Sequence, residues 1–339
     1  MAVQTPMKSF GVLLLSLALV SVEAAAQADV YQITVYTGYS DGQRVLLEGR
    51  ITQARPQTEA STSDSSRQNL KRNLRQFFNK EGEGWPLTLS IGGLQFQTRT
   101  DSEGYFRLDA KVNEGLREGW QPVFAKTTLP SKNAASSKVK PAFGKGRLLV
   151  LPAENTRGLI SDIDDTILVS EVLSKRRLLK NTFLKNSKQR QAVPGMAELY
   201  AKVVGQNPKP EAAPLFYLSG SPRQLYGALT QFLAHNHFPP GVLLTKRISR
   251  DRASDAWLDP MAYKTKKMEE IFEYFPQVRF ILVGDDGEKD PEIYEEIRKR
   301  YPQRIEAIWI RHVHTDKARA RFEKQLDLAE VLENYLSNH

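Results

Sequence analysis

The chain has 339 residues, of which 40% are hydrophobic and 26% charged, a balance typical of a globular protein and enough length for two domains. Its formal net charge of +9 favours acidic partners such as phosphates, nucleic acid or an anionic membrane surface. The lack of cysteine excludes disulfides, thiolate metal sites and a cysteine nucleophile.

Residues 1–28 have the pattern of a secretory signal peptide. The uncharged run SFGVLLLSLALVSV follows Lys8, and AQA at 26–28 supplies a cleavage site. The run is shorter than the roughly 20 residues that span a bilayer, and an uncleaved anchor is the alternative interpretation. We therefore expect an exported chain, periplasmic or extracellular after cleavage near Ala28.

Residues 29–146 contain short alternating segments separated by turns. The segments are DVYQITVYTGY, VLLEGRITQ, LTLSIGG, LQFQTRT and YFRLDAKV. A polar loop, ARPQTEASTSDSSR, precedes a short basic helix predicted over QNLKRNLRQFF. This pattern predicts a small antiparallel β-sandwich. It carries no acid pair, histidine cluster or phosphate loop, which favours a packing or targeting role.

From residue 147 to 339, continuous apolar runs alternate with amphipathic helical patterns. The runs RGLISD, PLFYLSG, GVLLTKR, RFILVGD and IEAIWIRHV suit strands that are buried on both faces. Their alternation with helices predicts an α/β domain with a Rossmann-like parallel sheet. Ligands bind beyond the C-terminal strand ends of such sheets, and Asp162, Ser219 and Asp285 fall at these ends.

The stretch LISDIDDTI places Asp162, Asp164 and Asp165 within four residues at the end of a predicted buried strand. Carboxylates this close repel one another unless a cation neutralises them. A calcium loop is excluded because no glycine occupies the sixth position and the chain continues as ILV. Magnesium bound together with a phosphate fits better, since Mg²⁺ prefers one or two carboxylates plus phosphate oxygens and waters.

A magnesium and phosphate site requires further groups on the neighbouring strand ends. VGDDGEKD supplies Asp285, Asp286 and Asp290, YLSGSP supplies the hydroxyl of Ser219, and YKTKKMEEI supplies the cation of Lys264. Lys266 and Lys267 are alternatives to Lys264 at the start of the same helix. Asp165 and Asp286 have an alternative interpretation as capping or solvated acids.

These motifs resemble the haloacid dehalogenase superfamily of phosphohydrolases. RGLISDIDDTI, NSKQRQAVPGMAELY, YLSGSPRQLY and YFPQVRFILVGDDGEKDPEIY are most similar to the catalytic domain of the actin-patch phosphatidate phosphatase family. The resemblance covers about residues 147–315. TDSEGYF and LKRNLRQFF also resemble the N-terminal extension of bacterial members.

The resemblance implies a role for each acid. Asp162 would be the nucleophile that forms an aspartyl-phosphate, and Asp164 would be the general acid and base. Mg²⁺ would be bound by the carboxylates of Asp162 and Asp285 and by the backbone carbonyl of Asp164. Ser219 and Lys264 would hold the phosphoryl oxygens.

Three further residues would support the catalytic and metal-binding residues, namely Thr166, Asp286 and Asp290. Of these, Asp290 would be an acid behind the metal site that steadies a metal-bound water or Lys264.

A basic segment, residues 171–193, directly follows the nucleophile strand, where a flap or small cap covers the site in this superfamily. The segment combines basic residues with interleaved leucines, so our first interpretation is that it contacts an anionic lipid or substrate. An RNA-like patch and a solvated helix face are the alternatives. Arg223, which follows SGSP where relatives often have an aromatic residue, is a further candidate. The predicted substrate-binding residues are Arg176, Arg177, Arg190 and Arg223.

The resemblance implies hydrolysis of phosphatidate to diacylglycerol with Mg²⁺ as cofactor and peripheral membrane contact. One alternative is an exported phosphatase for soluble phosphomonoesters, such as nucleotide or sugar phosphates. A second alternative is a non-catalytic surface-binding protein. We find no recognised nucleic-acid motif, so no specific nucleic-acid partner is predicted.

Overall fold

The computed structural model describes residues 30–54, 61, 63–75, 82–113, 115–127, 140–169, 186, 189–248, 260–313 and 322–337. The predicted signal peptide lies outside the described residues. Within these ranges, no helix has the length and apolar character needed to cross a bilayer.

Eight strands form the first sheet, in the order β1-β3-β2-β8-β7-β4-β5, with β6 on the other edge of β3. All its pairs are antiparallel except β2 with β8. The strands are β1 Tyr31–Val35, β2 Gly38–Ser40, β3 Arg44–Gln53, β4 Pro86–Ile91, β5 Leu94–Arg99, β6 Tyr105–Lys111, β7 Gly119–Thr127 and β8 Phe143–Val150.

The first sheet folds around one apolar core. In β4 and in the second half of β7, every second side chain is buried, as period-two alternation requires. Buried residues from both ends of the sheet meet in one cluster, among them Ile33, Leu47, Leu89 and Leu148. The expected antiparallel β architecture is therefore present in this half of the chain.

Two strands of this sheet depart from the sequence-based expectation. The predicted elements do not include β7, although Val123, Ala125 and Thr127 alternate with exposed neighbours. β8 runs from Phe143 to Val150 and crosses the predicted domain boundary at 146/147. The first sheet therefore continues to Val150, and the second begins at Arg157.

Helix α1, Ser66–Arg75, lies within the first half of the chain. Its N-terminus is a capping box, because the Ser65 backbone N–H donates to Gln68 Oε1 at 2.7 Å and Gln68 N–H donates to Ser65 Oγ at 3.4 Å. The predicted basic helix overlaps α1 but begins two residues later, at Gln68.

The second sheet has six strands in the order β11-β10-β9-β12-β13-β14, and every pair is parallel. Its strands are β9 Arg157–Ser161, β10 Leu215–Pro222, β11 Val242–Lys246, β12 Arg279–Asp285, β13 Ile305–Arg311 and β14 Gln325–Asp327. The helices are α2 Met196–Val204, α3 Tyr226–His235, α4 Pro260–Tyr274, α5 Asp290–Arg300 and α6 Leu328–Ser337.

The parallel sheet is buried on both faces, as its continuous apolar strands predict. One cluster packs Leu159 and Ile281 against Leu199 and Leu229, and the other packs Ile160 against the α4 and α5 side. The α/β fold with a parallel sheet and a preceding mainly antiparallel sheet is thus confirmed.

The two sheets share part of their core. Tyr39 of β2 contacts the rings of Phe216 and Phe275 at centroid distances of 5.6 and 5.7 Å. Leu46 and Leu149 belong to the same buried cluster. The first sheet is therefore packed directly against the α/β unit through apolar side chains.

Candidate active site

The strand β9 delivers Asp162 to the C-terminal edge of the parallel sheet. The Asp162 backbone N–H donates to Val283 O at 2.9 Å, which extends the pairing with β12 by one residue. The chain then turns back, because the N–H groups of Ile167 and Leu168 both donate to Ile163 O. Asp165 has φ of 60°, a left-handed conformation that aspartate tolerates better than most residues. This turn holds Asp162 and Asp164 at the same edge.

Lys264 is the cation at the centre of the site. It lies on α4, is 1% exposed, and its Nζ donates to Asp162 Oδ1 at 2.8 Å and to Asp290 Oδ1 at 2.5 Å. Of the three lysines considered from sequence, the structure places Lys264 against the predicted nucleophile. Lys266 is exposed, and Lys267 pairs with Glu270.

Strand β12 and helix α5 add two more carboxylates. Asp285 ends β12 and Asp290 begins α5, and both are fully buried. Each residue of the group Asp162, Asp285 and Asp290 offers a carboxylate oxygen within 4.8 Å of those of the other two. Gly284 permits this approach, since a Cβ there would lie 2.5 Å from Asp290 Oδ2.

Burial makes this carboxylate cluster electrostatically costly. Burial raises the pKa of Asp285 to about 8, and neighbouring Asp290 adds to the rise. Burial likewise raises the pKa of Asp162 well above its ordinary value, although Lys264 opposes the shift. Burial alone would lower the pKa of Lys264, but Asp162 and Asp290 raise it well above its ordinary value. One ammonium therefore faces three carboxylates.

Asp164 faces a different pair of groups. Its Oδ2 accepts hydrogen bonds from Ser219 Oγ at 3.1 Å and from Ser221 Oγ at 2.9 Å. The Ser221 backbone N–H donates to Ser219 Oγ at 3.0 Å, which ties the two serines together. The side chains of Asp164 and Asp162 thus have separate hydrogen-bond partners.

Thr166, Asp286 and Asp165 have defined contacts around the carboxylate cluster. Thr166 Oγ1 lies 3.2 Å from Asp162 Oδ2 and 3.3 Å from Asp285 Oδ2, so its hydroxyl bridges two strand ends. Asp286 accepts from the Val313 N–H at 2.8 Å and lies 2.8 Å from His312 Nδ1. The backbone carbonyl of Asp165 accepts from Arg311 at 2.5 Å. Asp286 and Asp165 therefore brace the loops after β12 and β9.

The predicted substrate-binding arginines fall into three situations. Arg176 and Arg177 lie outside the described residues. Arg190 is buried, which lowers its pKa, and it interacts with the charge of Asp164. Arg223 donates to Glu48 Oε2 of β3 at 2.6 Å, a contact between the two sheets. Substrate contact by these residues stays a prediction.

Two contacts near the site are absent from the sequence-based expectations. Ser221 belongs to YLSGSP, but only the bulge after Ser219 brings its hydroxyl to Asp164. Asp290 is expected behind the metal site, yet the structure groups it with Asp162 and Asp285. In the sequence, the GDxxxxD motif, which places Asp290 five residues after Asp285, is the pattern that could have indicated this grouping.

The carboxylate cluster has the donors that a hard cation needs. Asp162, Asp285 and Asp290 supply only oxygen atoms, the type that Mg²⁺ and similar ions prefer. Among the described residues, Asp290 Oδ2 is buried with no hydrogen-bond partner. A metal ion would offset the unbalanced negative charge, so the residues present fit such a group.

Residues 157–312 match the family model described as phosphatidate phosphatase APP1, catalytic domain. The chain is 36% identical over 155 residues to "Phosphatidate phosphatase APP1" of Saccharomyces cerevisiae, covering 45% of this chain and 25% of that protein. It is 25% identical over 224 residues to an uncharacterized protein of Schizosaccharomyces pombe, covering 66% of this chain and 35% of that protein. The chain thus spans a quarter to about a third of the length of these relatives.

Among solved structures, the HAD domain of the effector protein Lem4 from Legionella pneumophila is similar, with a TM-score of 0.34 and 14% identity. The match covers 55% of this chain and 97% of that domain. A likeness at this level supports no conclusion about chemistry. The part of the chain that matches the family model, residues 157–312, contains the D-x-D-x-T turn, Ser219, Lys264 and the GDxxxxD loop, and it is similar to the catalytic domain of phosphatidate phosphatase APP1.

Proposed function

We propose that this chain is a Mg²⁺-dependent phosphatase that hydrolyses phosphatidate to diacylglycerol through an aspartyl-phosphate on Asp162. The observation that carries the proposal is the buried contact of Lys264 with Asp162, within the cluster that Asp285 and Asp290 complete. A structural core gains little from three close carboxylates, because buried uncompensated charge is destabilising. The match of residues 157–312 to the phosphatidate phosphatase APP1 catalytic domain supports the same reaction class.

In the proposed reaction, Asp162 and Asp285 would hold the metal together with the backbone carbonyl of Asp164. Bound Mg²⁺ would supply positive charge that lets a carboxylate approach a dianionic phosphate. Lys264, already 2.8 Å from Asp162 Oδ1, is positioned to neutralise a phosphoryl oxygen beside the nucleophile.

The first step makes one bond and breaks another. A carboxylate oxygen of Asp162 attacks phosphorus, the bond from phosphorus to the ester oxygen breaks, and Asp164 gives its proton to that oxygen. In the second step Asp164 takes a proton from water, whose oxygen attacks phosphorus and releases phosphate and the free Asp162 carboxylate. Ser219 and Ser221 fix the orientation of Asp164 for both transfers.

A substrate panel tests this function. Purified residues 29–339 should release phosphate from phosphatidate vesicles faster than from soluble nucleotide or sugar phosphates, and only with Mg²⁺. Equal rates on vesicles and soluble esters would contradict the lipid substrate. Activity that is unaffected by chelation would contradict the metal.

Replacing the nucleophile separates an enzyme from a scaffold. Asp162→Asn removes the attacking carboxylate while keeping the side-chain volume, so turnover should fall below detection with the circular dichroism spectrum unchanged. Transfer of ³²P from substrate to wild-type protein, absent in Asp162→Asn, would mark the intermediate. Full activity in Asp162→Asn would refute the assignment of Asp162.

A further inference from the structure

The outer side of β7 and β8 presents exposed aromatic rings beside exposed lysines. Phe124 of β7 is 50% exposed and Phe143 of β8 is 63% exposed, whereas Val123, on the inner side of β7, is fully buried. The register sets Phe124 opposite Lys145 and Lys126 opposite Phe143. Directly paired residues project from the same side of a sheet, so these four side chains form one surface, here called the β7–β8 face.

The cations of the β7–β8 face are not neutralised by acids. Lys126 Nζ lies 5.8 Å from the centre of the Phe143 ring, and Lys145 Nζ lies 6.0 Å from that of Phe124. Arg147, two residues after Lys145 on the same side of β8, stacks on Trp120 at 4.7 Å. Neither lysine nor Arg147 forms an ion pair within the part of the chain that the structure describes. Their charges therefore face solvent.

The surroundings of the face add positive charge and no acid. Residues 119–153 contain six basic and no acidic residues. The acids on either side of this stretch, Glu118 and Glu154, both pair with Lys209. The strands β4 and β5 extend the same side of the sheet with Thr88, Ser90, Gln95, Gln97 and Arg99.

Contacts with β10 give the orientation of the first sheet relative to the candidate active site. Tyr39 contacts the ring of Phe216, near the start of β10. Tyr36 lies 5.5 Å from the guanidinium of Arg223, which directly follows β10. From Tyr39 back to Tyr36, the first sheet therefore runs along β10 towards its C-terminal end.

The β7–β8 face continues in this direction. The strand β3 is paired with Tyr39 at Leu46 and with Ile33 at Ile51, so Ile33 lies further along the same line. Ile33 in turn packs against Gly144, where a Cβ would lie 2.4 Å from the Ile33 carbonyl oxygen. Phe143 and Lys145 flank Gly144, so the β7–β8 face and the candidate active site lie towards the same end of the parallel sheet.

Exposed rings within a basic surface suit an anionic bilayer. Aromatic rings lie well at the boundary between headgroups and acyl chains, and lysine stems can follow them while the ammonium groups reach lipid phosphates. A bilayer that contains anionic lipids attracts each such cation. A second copy of the chain fits poorly, because two β7–β8 faces would bring like charges together.

We propose that the β7–β8 face docks this protein on an anionic lipid bilayer, with the rings of Phe124 and Phe143 among the headgroups and the lysines beside lipid phosphates. This inference rests on the proposed function, because phosphatidate is carried in such a bilayer. The first sheet lies outside residues 157–312, which match the catalytic-domain model. Its role is then to bring the candidate active site to a lipid surface.

Vesicle binding without Mg²⁺ tests the docking surface in the absence of turnover. Residues 29–339 are used, as in the substrate panel, because the apolar run before residue 29 would itself bind lipid. The protein should co-sediment with phosphatidylcholine vesicles that contain phosphatidylglycerol, far less with phosphatidylcholine alone, and less at high salt. Phosphatidylglycerol has no phosphomonoester, so it reports on the surface and not on the catalytic site. Failure to bind the anionic vesicles would overturn the proposal.

Two double variants separate the rings from the charges. Phe124→Thr with Phe143→Thr should weaken binding to the anionic vesicles roughly tenfold, because two half-exposed rings no longer leave water. Lys126→Gln with Lys145→Gln should weaken it about 30-fold at low salt. All four side chains are exposed, so melting temperatures should match wild type. Wild-type affinity in either double variant would overturn the proposal.

Matched controls change the same residue types elsewhere. Leu326→Thr removes an apolar side chain of β14 that is 50% exposed, and Lys111→Gln removes an exposed lysine at the end of β6. Both should bind vesicles as wild type does. Weakening by Lys111→Gln equal to that by Lys126→Gln alone would assign binding to the overall charge of the protein and overturn the proposal.

Cleavage with Mg²⁺ distinguishes failure of the docking surface from failure of the proposed phosphatase. Both double variants should have a higher KM for phosphatidate in vesicles and an unchanged kcat/KM for monomeric short-chain phosphatidate. Equal losses on the two forms would overturn the docking role. If the wild type cleaves neither form, the phosphatase function fails, and vesicle binding still decides the docking surface.

Single-stranded nucleic acid is the alternative occupant, since aromatic and basic side chains on a sheet can also stack bases. Fluorescence anisotropy with labelled oligothymidylate measures it under the same conditions. Weaker binding to oligothymidylate than to anionic vesicles would support the lipid assignment. Tighter binding to oligothymidylate, lost in both double variants, would overturn it in favour of nucleic acid.

Discussion

Protonation of Asp285 should control metal binding. Burial raises the pKa of Asp285 to about 8, well above that of a carboxyl in the unfolded chain. Between the pKa of this carboxyl in the unfolded chain and its pKa of about 8 in the folded protein, the metal-free folded state binds more protons than the unfolded state. The free energy of unfolding therefore falls as the pH rises towards 8. A divalent cation binds the deprotonated carboxylates, so its affinity should rise over the same range.

We accordingly expect Mg²⁺ to raise the melting temperature more at pH 8.5 than at pH 6, as measured by calorimetric scans across a Mg²⁺ titration. Asp285→Asn keeps the volume and removes the charge, and it should abolish the Mg²⁺ response at both values. A Mg²⁺ affinity that is independent of pH would contradict this account.

The hydroxyl of Ser221 should contribute to turnover through Asp164. Ser221→Ala removes one of the two hydrogen bonds to Asp164 Oδ2 and leaves that of Ser219. Loss of a hydrogen bond to a charged group predicts a fall in kcat of roughly tenfold with little change in KM.

Ser221→Thr retains a hydroxyl and should recover most of the lost activity, measured as phosphate release at saturating substrate. Equal kcat in the wild type and Ser221→Ala would show that Ser219 alone orients Asp164.

At the scale of elements, the close packing of β12 against α5 places Asp290. A Cβ at Gly284 would lie 2.5 Å from Asp290 Oδ2 and 2.7 Å from Tyr294 Cε2. Gly284→Ala should push the start of α5 away from β12, at a cost of about 1–3 kcal/mol in the free energy of unfolding. It should also weaken Mg²⁺ binding, since Asp290 belongs to the carboxylate cluster.

Gly227→Ala is the matched control on α3, because a Cβ there meets nothing within 4 Å. Helix propensity predicts that it stabilises the protein by up to about 1 kcal/mol. Chemical denaturation of both variants gives the comparison, and equal behaviour of the two would rule out the steric explanation.

Across the whole molecule, the contact of Glu48 with Arg223 joins the first sheet to the C-terminal end of β10, the strand that carries Ser219 and Ser221. Burial alone would raise the pKa of Glu48. The positive charges of Arg223, Lys267 and Arg107 outweigh the effect of burial and hold the pKa of Glu48 below its ordinary value. Because the folded pKa is depressed, this stabilisation is present at neutral pH and is lost as pH falls through the folded pKa.

Glu48→Gln leaves the buried Arg223 without its carboxylate and should cost about 3–5 kcal/mol at neutral pH. The difference in the free energy of unfolding between Glu48→Gln and the wild type should be smaller at pH 3.5 than at pH 7, as measured by chemical denaturation at both values. Glu273→Gln removes an exposed carboxylate on α4 that also pairs with the first sheet, through Arg44 of β3, and it should have little effect. A pH-independent penalty in Glu48→Gln would argue against the charge interaction.

Local sequence was sufficient to predict the strand and turn that present Asp162 and Asp164. The apolar run before Asp162, the spacing of two residues between the aspartates and the turn after them are all properties of neighbouring residues. The parallel sheet was equally predictable, since strands that are buried on both faces must be apolar throughout. The same reasoning missed β7 and β8, whose short, partly exposed segments carry a weak pattern.

Tertiary structure decided which distant groups meet. Lys264 and Asp162 are 102 residues apart, and Arg223 and Glu48 are 175 apart, so no local spacing specifies either pair. The amino-acid sequence by itself determined the chemistry available at the sheet edge. The grouping of Asp290 with Asp162 and the bonding of Asp164 to two serines arise only from packing, because they depend on how separate strands and helices approach one another.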